Sequence, residues 1–504
     1  MFFSKYNKTI RKIFTFAIAI SVPLFFACGA GDGDDSDRYE TSRASALSSS
    51  EFNSFRSNHS AYFEDDNYTN MIQKVISGST LPSNGTTYYI SPTGDDDKND
   101  GTQQKPFKTF SKALEEMFAG DTLIVMDGTY MASTEDARDE DSDNAVELSK
   151  SGNASAFITI KAQHRGEAVI SGFTNAQKSD YALMYINGSY IMIDGLVFSN
   201  LKVKNGGKGI ELANGANHIT IANCEFTNIK TASHVTKESK YNEDLQYTAN
   251  AIIGYGTKGA KPISSILIYK NTCTNMATGW SECISLTENC QYISIVENYI
   301  DSTENIGIDV GGNYGDCDDL SKGFTQYAYI AHNTVINEST ADTYGDDCYG
   351  IYADGGQHIQ ILNNKVANCM GGIECGAEEK LGNKYPANDI TISGNEIVDC
   401  QKVFFACGGW EEDRGLVKNV RFTENTCTAT RDASRMINLA KCDNVEIKAN
   451  TFRKSGNFEI DTFNLEFEGW GIEPTVNNKK YKGTSTTLKA ISDSIERNNT
   501  WIGF

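Results

Sequence analysis

The stretch "HIQILNNKV", residues 358–366, has counterparts along the second half of the chain. They are "HITIANCEF" from 218, "SILIYKNTC" from 265, "YISIVENYI" from 292, "YAYIAHNTV" from 327, "DITISGNEI" from 389, "NVRFTENTC" from 419 and "NVEIKANTF" from 444. Aligning them gives a column headed by Gly195 of "YIMIDGLVF" and continued by Asn223, Asn271, Asn298, Asn333, Asn364, Asn395, Asn425 and Asn450. Asparagine and glycine tolerate left-handed backbone angles, so the column predicts one bend per repeat.

The repeats are separated by segments of variable length, each long enough for two further short strands and a loop. A solenoid whose coils each contain three strands explains this spacing. We therefore predict an all-β fold, a single-stranded right-handed parallel β-helix over residues 86–504. We expect an N-terminal capping helix before residue 86, and an amphipathic segment near Thr109–Phe118 predicts a second helix at the entry to the β-helix.

A second alignment, one strand before each bend, identifies candidate site residues. It contains "GIEL" from 209, "AIIG" from 251, "CISL" from 283, "GIDV" from 307, "GIYA" from 350, "GIEC" from 372, "FFAC" from 404 and "MINL" from 436. Because side chains alternate along a strand, the second position faces inward and the third outward. Asp309, Tyr352 and Glu374 are then predicted to stack on successive coils, about 4.8 Å apart. Glu282 and Asp354 extend this set into an acidic strip.

Long insertions adjoin the same strands, and loops gathered at one edge of a rigid scaffold often form a binding cleft. These loops and their edges contribute the candidate substrate-binding residues Tyr349, Lys380, Trp410 and Arg414. Tyr314, Tyr344 and Tyr385 are further aromatic residues in the insertions that could stack on sugar rings, although each alone is as well explained by packing.

Acidic side chains in a strip allow several kinds of chemistry. Asp309 and Glu374, two coils apart, would be separated by about 9.6 Å at their backbones, close to the separation with which inverting glycosidases accommodate a water molecule. Glu282 and Asp309 would be close enough to share a calcium ion, which prefers oxygen ligands. Acids that only keep an edge soluble are the structural alternative.

The N-terminus predicts export and lipid anchoring. Residues 1–27 combine Lys5, Lys8, Arg11 and Lys12 with an apolar run too short for a membrane span, which is typical of a signal peptide. Ala27 and Cys28 resemble a bacterial lipobox, so Cys28 is the predicted lipidation site, and the following acidic run resembles a surface-export tag. We expect anchoring at the outer membrane, on the cell surface, through residues 28–85, a polar tether with one possible cap.

The formal net charge of −21 argues against partners that are nucleic acids or anionic membranes. We expect a monomer that contacts the membrane only through its lipid. The chain has 13 cysteines, and those beyond Cys28 are too sparse for a disulfide scaffold. They are interpreted as small buried hydrophobic residues, with a Cys317–Cys348 disulfide left open.

The segment "TYYISPTGDDDKNDGTQQKPFKTF" from 87 resembles the entry segment of secreted β-helix proteins, including family nine polysaccharide lyases. Glu282 of "GWSECI" and Asp309 of "ENIGIDV" match the first and last acids of that family's calcium site. Asn305 and Ile306 replace its paired aspartates, and Tyr352 occupies the slot of its catalytic lysine. The resemblance implies cleavage of a uronate-containing polysaccharide, with calcium as cofactor.

Three hypotheses remain open. In a polysaccharide lyase, which the resemblance favours, Tyr352, Lys322 or Lys380 acts as the base and Arg414 supports the substrate carboxylate. In a glycoside hydrolase, two of Asp309, Asp354 and Glu374 serve as acid and base. In a glycan-binding or adhesive β-helix there is no turnover. Function depends on the site and not on the fold, so the sequence does not separate them.

Overall fold

The stretch at 358–366 forms one strand, a bend of a single residue and the start of a second strand. In the computed structural model, Gln357–Leu362 and Lys365–Ala367 are the strands, and Asn363 between them has a φ of 54°. The structure describes residues 42–135, 143–233, 235–345, 348–410, 414–467, 473–482 and 485–504. The same unit recurs along the chain and builds a parallel β-helix with three faces, which confirms the predicted fold class.

Face one is a sheet of 14 strands. All neighbours pair in parallel except the last two strands, which form a small antiparallel turn. The strands are Thr87–Ile90, Thr122–Val125, Ile158–Ala162, Ser189–Asp194, Asn217–Ala222, Ile263–Tyr269, Cys290–Val296, Gln326–Ala331, Gln357–Leu362, Ala387–Ser393, Val417–Thr423, Cys442–Lys448, Thr475–Val476 and Lys479–Lys480.

Face two consists of short strands that follow the bend after face one. They are Gly128–Met131, Ala168–Ser171, Val197–Leu212, Glu225–Thr231, Thr272–Thr274, Tyr299–Asp301, Thr334–Ile336, Lys365–Ala367, Glu396–Val398, Thr426–Ala429, Thr451–Lys454 and Thr500–Ile502. Val197–Leu212 is long enough to bend from face two into face three, where it pairs with Ala249–Gly256.

Face three contains the aligned strands with acidic residues. Its strands are Asn144–Leu148, Thr174–Ile186, the end of Val197–Leu212, Ala249–Gly256, Glu282–Glu288, Ile306–Gly311, Tyr349–Asp354, Gly371–Gly376, Val403–Gly408, Arg435–Leu439 and Asp461–Leu465. Their second-position residues, among them Ile308, Ile351 and Ile373, are buried in the interior of the coil. The third position therefore lies on the outer side, as predicted.

The cysteines from Cys224 to Cys442 are all buried. Among the described residues no disulfide joins any of them, so Cys317 and Cys348 are thiols. Most, including Cys273 and Cys375, belong to the apolar interior. This confirms their interpretation as small hydrophobic residues.

The asparagine column requires a correction. From the second repeat onward the left-handed residue is the one before the asparagine: Lys270, Glu297, His332, Asn363, Gly394, Glu424 and Ala449 have φ between 54° and 69°. Asn223 and Gly195 are themselves at the bend, so aligning them with the later asparagines shifted the column by one residue. The asparagine column was interpreted as the bend residues of the backbone, whereas the later asparagines act through their side chains.

Those side chains form a ladder inside the coil. Asn271, Asn298, Asn333, Asn364, Asn395, Asn425 and Asn450 are buried, and each donates Nδ2–H to the Oδ1 of the next, ending at Asn499, at 2.9–3.0 Å. Each Oδ1 also accepts a backbone N–H from the preceding coil, as Asn364 does from Asn333 at 2.9 Å. The ladder satisfies polar backbone atoms at a turn from which water is excluded.

We predict that Asn364→Val destabilises the protein by about 2–3 kcal/mol, because it leaves the amide donors of Asn333 and the carbonyl of Ile330 buried without partners. The matched control is Glu424→Gly, at an exposed left-handed position with a φ of 60°, where glycine is neutral or stabilising. Urea denaturation of both variants measures the difference. Equal midpoints for the two variants would show that the ladder contributes nothing.

The segment before the β-helix covers the outer side of face one. It contains helix α1 (Ser49–Asn58), a 3₁₀ turn (Ser60–Tyr62) and helix α2 (Asp66–Ile76). Phe55 stacks on Tyr329 of face one with ring centroids 4.2 Å apart, and the Tyr68 hydroxyl donates to Ser294 Oγ at 2.8 Å. The part of the predicted tether that the structure describes, from residue 42, is therefore packed on the β-helix.

Three more helices complete the fold. Helix α3 (Phe110–Glu116) begins after Thr109, whose hydroxyl accepts the Lys112 N–H, and it packs Phe110 and Ala113 into the interior. Helix α4 (Ala132–Glu135) is a single turn. Helix α5 (Ser485–Arg497) contributes Ile491 and Ile495 to the other end of the core. In the described part of the chain, no helix has the length and apolar character needed to cross a membrane.

Two 3₁₀ segments, Lys237–Tyr241 and Glu243–Leu245, precede Ala249–Gly256 on face three, and a third, Lys380–Asn383, lies in the insertion after Gly371–Gly376.

Candidate active site

The predicted column of third-position residues is present on face three. Ser285 pairs directly with Asp309, Asp309 with Tyr352, and Tyr352 with Glu374. Ala406 and Asn438 continue the same register. The parallel pairing places these side chains on adjacent coils of one outer surface.

The acids of this surface are buried by the loops above them. Asp309 and Asp354 are each 2% exposed, Glu374 is 3% exposed and Tyr352 is 5% exposed. Tyr314 and Glu378, from the insertions at 312–325 and 377–386, contact Asp354, and Trp410 contacts Glu374. Carboxylates buried to this extent do not serve to keep an edge soluble, and burying like charges together destabilises the fold unless they have another use.

Asp309 has the least compensated environment of these acids. Its Oδ1 has no hydrogen-bond partner among the described residues. Burial raises the pKa of Asp309 well above its ordinary value, and the nearby charges of Glu282 and Asp354 raise it further. These surroundings therefore favour the protonated form of the side chain.

Asp354 lies one coil further on and is better able to ionise. Burial and the charge of Glu378 raise its pKa to about 7. The Glu378 N–H donates to Asp354 Oδ1 at 2.9 Å, and the Tyr314 hydroxyl, within hydrogen-bonding reach, also favours the ionised form. Burial raises the pKa of both carboxyl groups, but their surroundings differ, because Asp354 Oδ1 accepts the Glu378 N–H whereas Asp309 Oδ1 has no partner among the described residues.

A small cavity of about 90 Å³ lies next to this surface, and Asp309, Asp354 and Glu374 are not among the residues that line it. It is lined by Tyr352, Ala377, Glu378, Gly408, Gly409, Trp410 and Arg414. The Tyr352 hydroxyl donates to Glu378 Oε1 at 3.3 Å, and Trp410 Nε1–H donates to Glu374 Oε1 at 2.6 Å. Arg414 Nη1 donates to the Glu378 carbonyl oxygen at 2.7 Å. Tyrosine, tryptophan and arginine side chains around acids are suited to binding a sugar ring and its hydroxyl groups.

The other predicted residues do not line this cavity. Tyr349 is 5% exposed and contacts two residues that do: it packs with Trp410, and its ring centroid lies 6.0 Å from that of Tyr352. Lys380 is exposed and is not among the residues that line the cavity. Lys322, in the loop 312–325, donates from Nζ to the Gly259 carbonyl oxygen at 3.1 Å and does not line the cavity. The described contacts therefore place neither lysine where a base is needed.

Sequence reasoning missed the roles of Glu378, Ser285 and Thr287 at this site, and it treated Tyr314 only as a possible stacking residue. Glu378 and Tyr314 lie in insertions, which have no repeated position to align. Ser285 and Thr287 are buried, and their hydroxyl oxygens lack partners among the described residues. Ser285 stood in the aligned column, and its small polar side chain next to Asp309 was a usable signal.

The residues around Glu282 and Asp309 do not fit the predicted calcium site. Glu282 Oε2 accepts a hydrogen bond from Ser281 Oγ at 3.1 Å. Within the described ranges no group of three or more Asp, Glu, His or Cys side chains is arranged to hold a metal ion. Calcium takes six to eight oxygen ligands, usually several from carboxylates. Calcium at this position stays a prediction, and no step below depends on it.

The acids of the entry segment have structural partners. Asp96 accepts hydrogen bonds from the backbone of Lys108 and Thr109, at 2.7 and 3.1 Å. Asp95 accepts from the backbone of Asp97 at 3.0 Å. They stabilise the loop before helix α3.

Comparison with known proteins found a matching family model and a relative of similar length. Residues 88–260 match the model of a Pel9A-like right-handed β-helix region, which confirms the predicted handedness and the resemblance of the entry segment. YwoF of Bacillus subtilis (strain 168), an uncharacterized protein, is 30% identical over 348 residues, which is 68% of each chain.

Solved structures show more distant similarity. A GH136 lacto-N-biosidase from Eubacterium ramulus is 13% identical with a TM-score of 0.44, covering 84% of this chain and 81% of that one. The pectate lyase Pel9A is 14% identical with a TM-score of 0.33, covering 68% of this chain and 80% of that one. Similarity of this degree carries no information about the reaction.

Proposed function

This chain belongs to the family of right-handed β-helix proteins represented by its Pel9A-like segment and its relative YwoF, and from that membership we propose that it is a carbohydrate-active enzyme. More specifically, we propose that it hydrolyses glycosidic bonds in a polysaccharide. Asp309 serves as the general acid and Asp354 as the general base.

The observation that carries this proposal is the contrast between the two aspartates. Asp309 is buried with a bare Oδ1, so its pKa is raised and it keeps a proton to donate. Asp354 receives hydrogen bonds that favour its carboxylate. Neighbouring carboxyl groups whose pKa values are separated by their surroundings are the arrangement that acid–base cleavage of a glycoside requires.

In the proposed reaction Asp309 donates its proton to the glycosidic oxygen, and the bond from that oxygen to the anomeric carbon breaks. A water molecule bonds to the anomeric carbon and transfers a proton to Asp354. The products are two sugar chains, one with a new reducing end. Trp410 and Tyr352 contact the sugar, and the Trp410 indole fixes Glu374 beside it.

The alternative is a polysaccharide lyase, which the resemblance to family nine polysaccharide lyases favours. Elimination requires a base that removes the proton α to a uronate carboxylate, and Tyr352 occupies the slot of the family's lysine. Burial and the charges of Asp354 and Glu378 raise the pKa of Tyr352 well above its ordinary value, so the phenol keeps its proton. Arg414 is the cation of the cavity that could pair with a uronate, and it is this residue that supports the alternative.

The test is digestion of a panel of plant, algal and host polysaccharides by the full chain, with and without a calcium chelator. We expect new reducing ends with no ultraviolet-absorbing unsaturated product, at the same rate in chelator. Unsaturated ends would establish the lyase instead. Binding of a polysaccharide without cleavage of any would leave the glycan-binding protein as the function.

We also propose export and lipid anchoring at Cys28. Residues 1–41 lie outside the described residues, so the signal peptide, the anchor and the outer-membrane location stay predictions. Cys28→Ala should transfer the protein from the detergent phase to the aqueous phase of a Triton X-114 partition. Protease treatment of intact cells should degrade the anchored form. Wild-type protein found wholly in the aqueous phase would contradict the anchor.

A further inference from the structure

A groove of about 430 Å³ lies on the outer side of face one, beside the chain that leaves helix α2. Residues of the segment 75–83 form one wall. The floor comes from five successive coils of face one, from the strand Thr122–Val125 to the strand Ile263–Tyr269. At about 4.8 Å per coil, the groove extends about 19 Å along the axis of the β-helix. The candidate active site lies on face three, so this groove is a separate site.

The charge of the groove is opposite in sign to that of the protein. The side chains that line it include the cations of Lys161, Arg165 and Lys270, and among the described residues the carboxylate of Asp194 is the one acid in the lining. The chain as a whole has a formal net charge of −21. Positive charge concentrated in one groove of an acidic protein favours an anionic ligand.

Asp194 is already occupied by other partners. Its Oδ1 accepts hydrogen bonds from Arg165 Nη2 at 3.2 Å and from Asn223 Nδ2 at 2.7 Å. Lys161 is the neighbour of Asp194 in the parallel register of face one and is half-buried, yet its ammonium group has no ion pair or hydrogen bond with a described residue. Charges removed from water are usually paired, so Lys161 is available to an anion from outside the chain.

The position of Arg165 depends on a glycine at the bend of the next coil. Gly195 has a φ of 76°, and a Cβ added to it would lie 2.7 Å from Arg165 Cγ. The missing side chain therefore lets Arg165 cross this bend to reach Asp194. Its own side chain stays 63% exposed at the rim of the groove. Lys270, at the bend two coils further on, is 45% exposed and pairs with Glu297 at 3.4 Å.

Hydroxyl groups supply much of the remaining polar lining. Ser79, Thr80 and Ser83 belong to the wall, and Thr122 and Thr159 to the floor. Hydroxyl groups both donate and accept hydrogen bonds, which suits the hydroxyl groups of a sugar. The length of the groove suits a linear chain of several units better than a single small ion.

We propose that this groove binds an anionic oligosaccharide, whose uronate carboxylate or sulfate groups pair with Lys161 and Arg165. The choice of an anion rests on the lining of the groove. The choice of a sugar rests on the lining and also on the proposed function of the chain as a carbohydrate-active protein. Such a site on face one would hold a long acidic polysaccharide on the protein while another part of it occupies face three.

The experiment is calorimetric titration of the full chain carrying Asp309→Asn, a change chosen to suppress turnover of the probe on face three. We expect tetragalacturonic acid or a sulfated galactan tetrasaccharide to bind, and the neutral galactotetraose to bind at least tenfold more weakly. The tighter of the two acidic probes identifies the acidic group. Binding of neither, equal binding of the neutral probe, or equally tight binding of a tetra-aspartate peptide would overturn the proposal.

Lys161→Gln in the same chain should lower the affinity for the bound probe at least fivefold, because it removes the unpaired charge. The matched control is Lys418→Gln, a half-buried lysine on another strand of face one that does not line the groove. It should change the affinity less than twofold. Equal losses in the two variants would show attraction by overall charge and would overturn the proposal.

A second measurement locates the probe without a substitution at Lys161. The bound oligosaccharide should slow amide hydrogen exchange at least threefold in residues 77–83, in the wall of the groove. No change there, with or without protection of face three, would overturn the proposal. Both measurements report binding and not cleavage, so a chain that binds at face one and hydrolyses nothing would refute the proposed hydrolase and leave this site standing.

Discussion

Replacing Asp309 by Asn will lower the turnover of a cleaved polysaccharide by about 10³-fold, within the range lost when a general acid is removed. Asn keeps the size and outward position of the side chain and removes only the transferable proton. The loss should be smaller for an aryl glycoside with a good leaving group, because such a leaving group departs without protonation. Initial rates on the two substrates measure this contrast.

The same variant should not be less stable at neutral pH. The pKa of Asp309 is raised in the folded protein, so its ionisation opposes folding at pH values above the ordinary range of an aspartate. Asp309→Asn removes that effect, and its melting temperature should exceed that of wild type by more at pH 8 than at pH 5. A stabilised protein with little activity is the pattern expected of a functional residue.

The control is Glu225→Gln, an exposed acid on face two away from the loops. It should keep wild-type activity on both substrates. If Asp309→Asn retains full activity on a substrate that wild type cleaves, or unfolds the protein outright, the surface around Asp309 is not the active site.

The register of this site was predictable because parallel pairing repeats. Once the strands were aligned, Asp309 could only neighbour Ser285 and Tyr352, and the pairing has that order. Alternation then decided which side chains face outward. Parallel pairing and side-chain alternation both recur in every coil, so each repeat of the sequence gives independent evidence for them.

Burial of the acids could not be predicted by the same rules. It depends on loops such as 312–325 and 377–386, whose lengths differ from coil to coil and whose paths follow no repeat. Glu378 acts on Asp354 through its backbone N–H, which carries no residue-type signal, and through its charge, whose place in the loop follows no repeat. Tyr314 was visible as a loop aromatic, but its distance from Asp354 was not.

The asparagine column shows a different limit. Asn and Gly at a recurring position fit either a left-handed backbone or a buried amide ladder, and the alignment mixed the two because Asn223 is the bend residue itself. Glu297 and Ala449 also have left-handed angles, and their residue types do not suggest a bend. In helix α2, by contrast, the spacing of Tyr68, Met71, Ile72 and Val75 marks an apolar face, which gives the bounds of a helix in the region where only one possible cap was predicted.

The second large effect is expected for Asp354→Asn, with a loss of about 10³-fold in turnover and a changed pH profile. In wild type, Asp354 must be ionised and its pKa is about 7, so the rate should rise with pH through that value. Asp309 must be protonated, so the rate should fall again on the alkaline side. The acidic limb of this bell-shaped curve should be absent from the variant.

The alkaline limb should move as well. The charge of Asp354 is one cause of the raised pKa of Asp309, so removing it lowers that pKa and brings the alkaline fall to lower pH. Added azide or formate should restore part of the lost rate in Asp354→Asn, because a small anion can attack the anomeric carbon without a base. The same anions should restore none of the lost rate in Asp309→Asn on a polysaccharide. The roles assigned to the two aspartates are wrong if Asp354→Asn keeps the acidic limb, or if the two variants respond alike to azide. These roles rest on one structural difference: Asp309 has an oxygen without a partner among the described residues, whereas Asp354 accepts the Glu378 N–H.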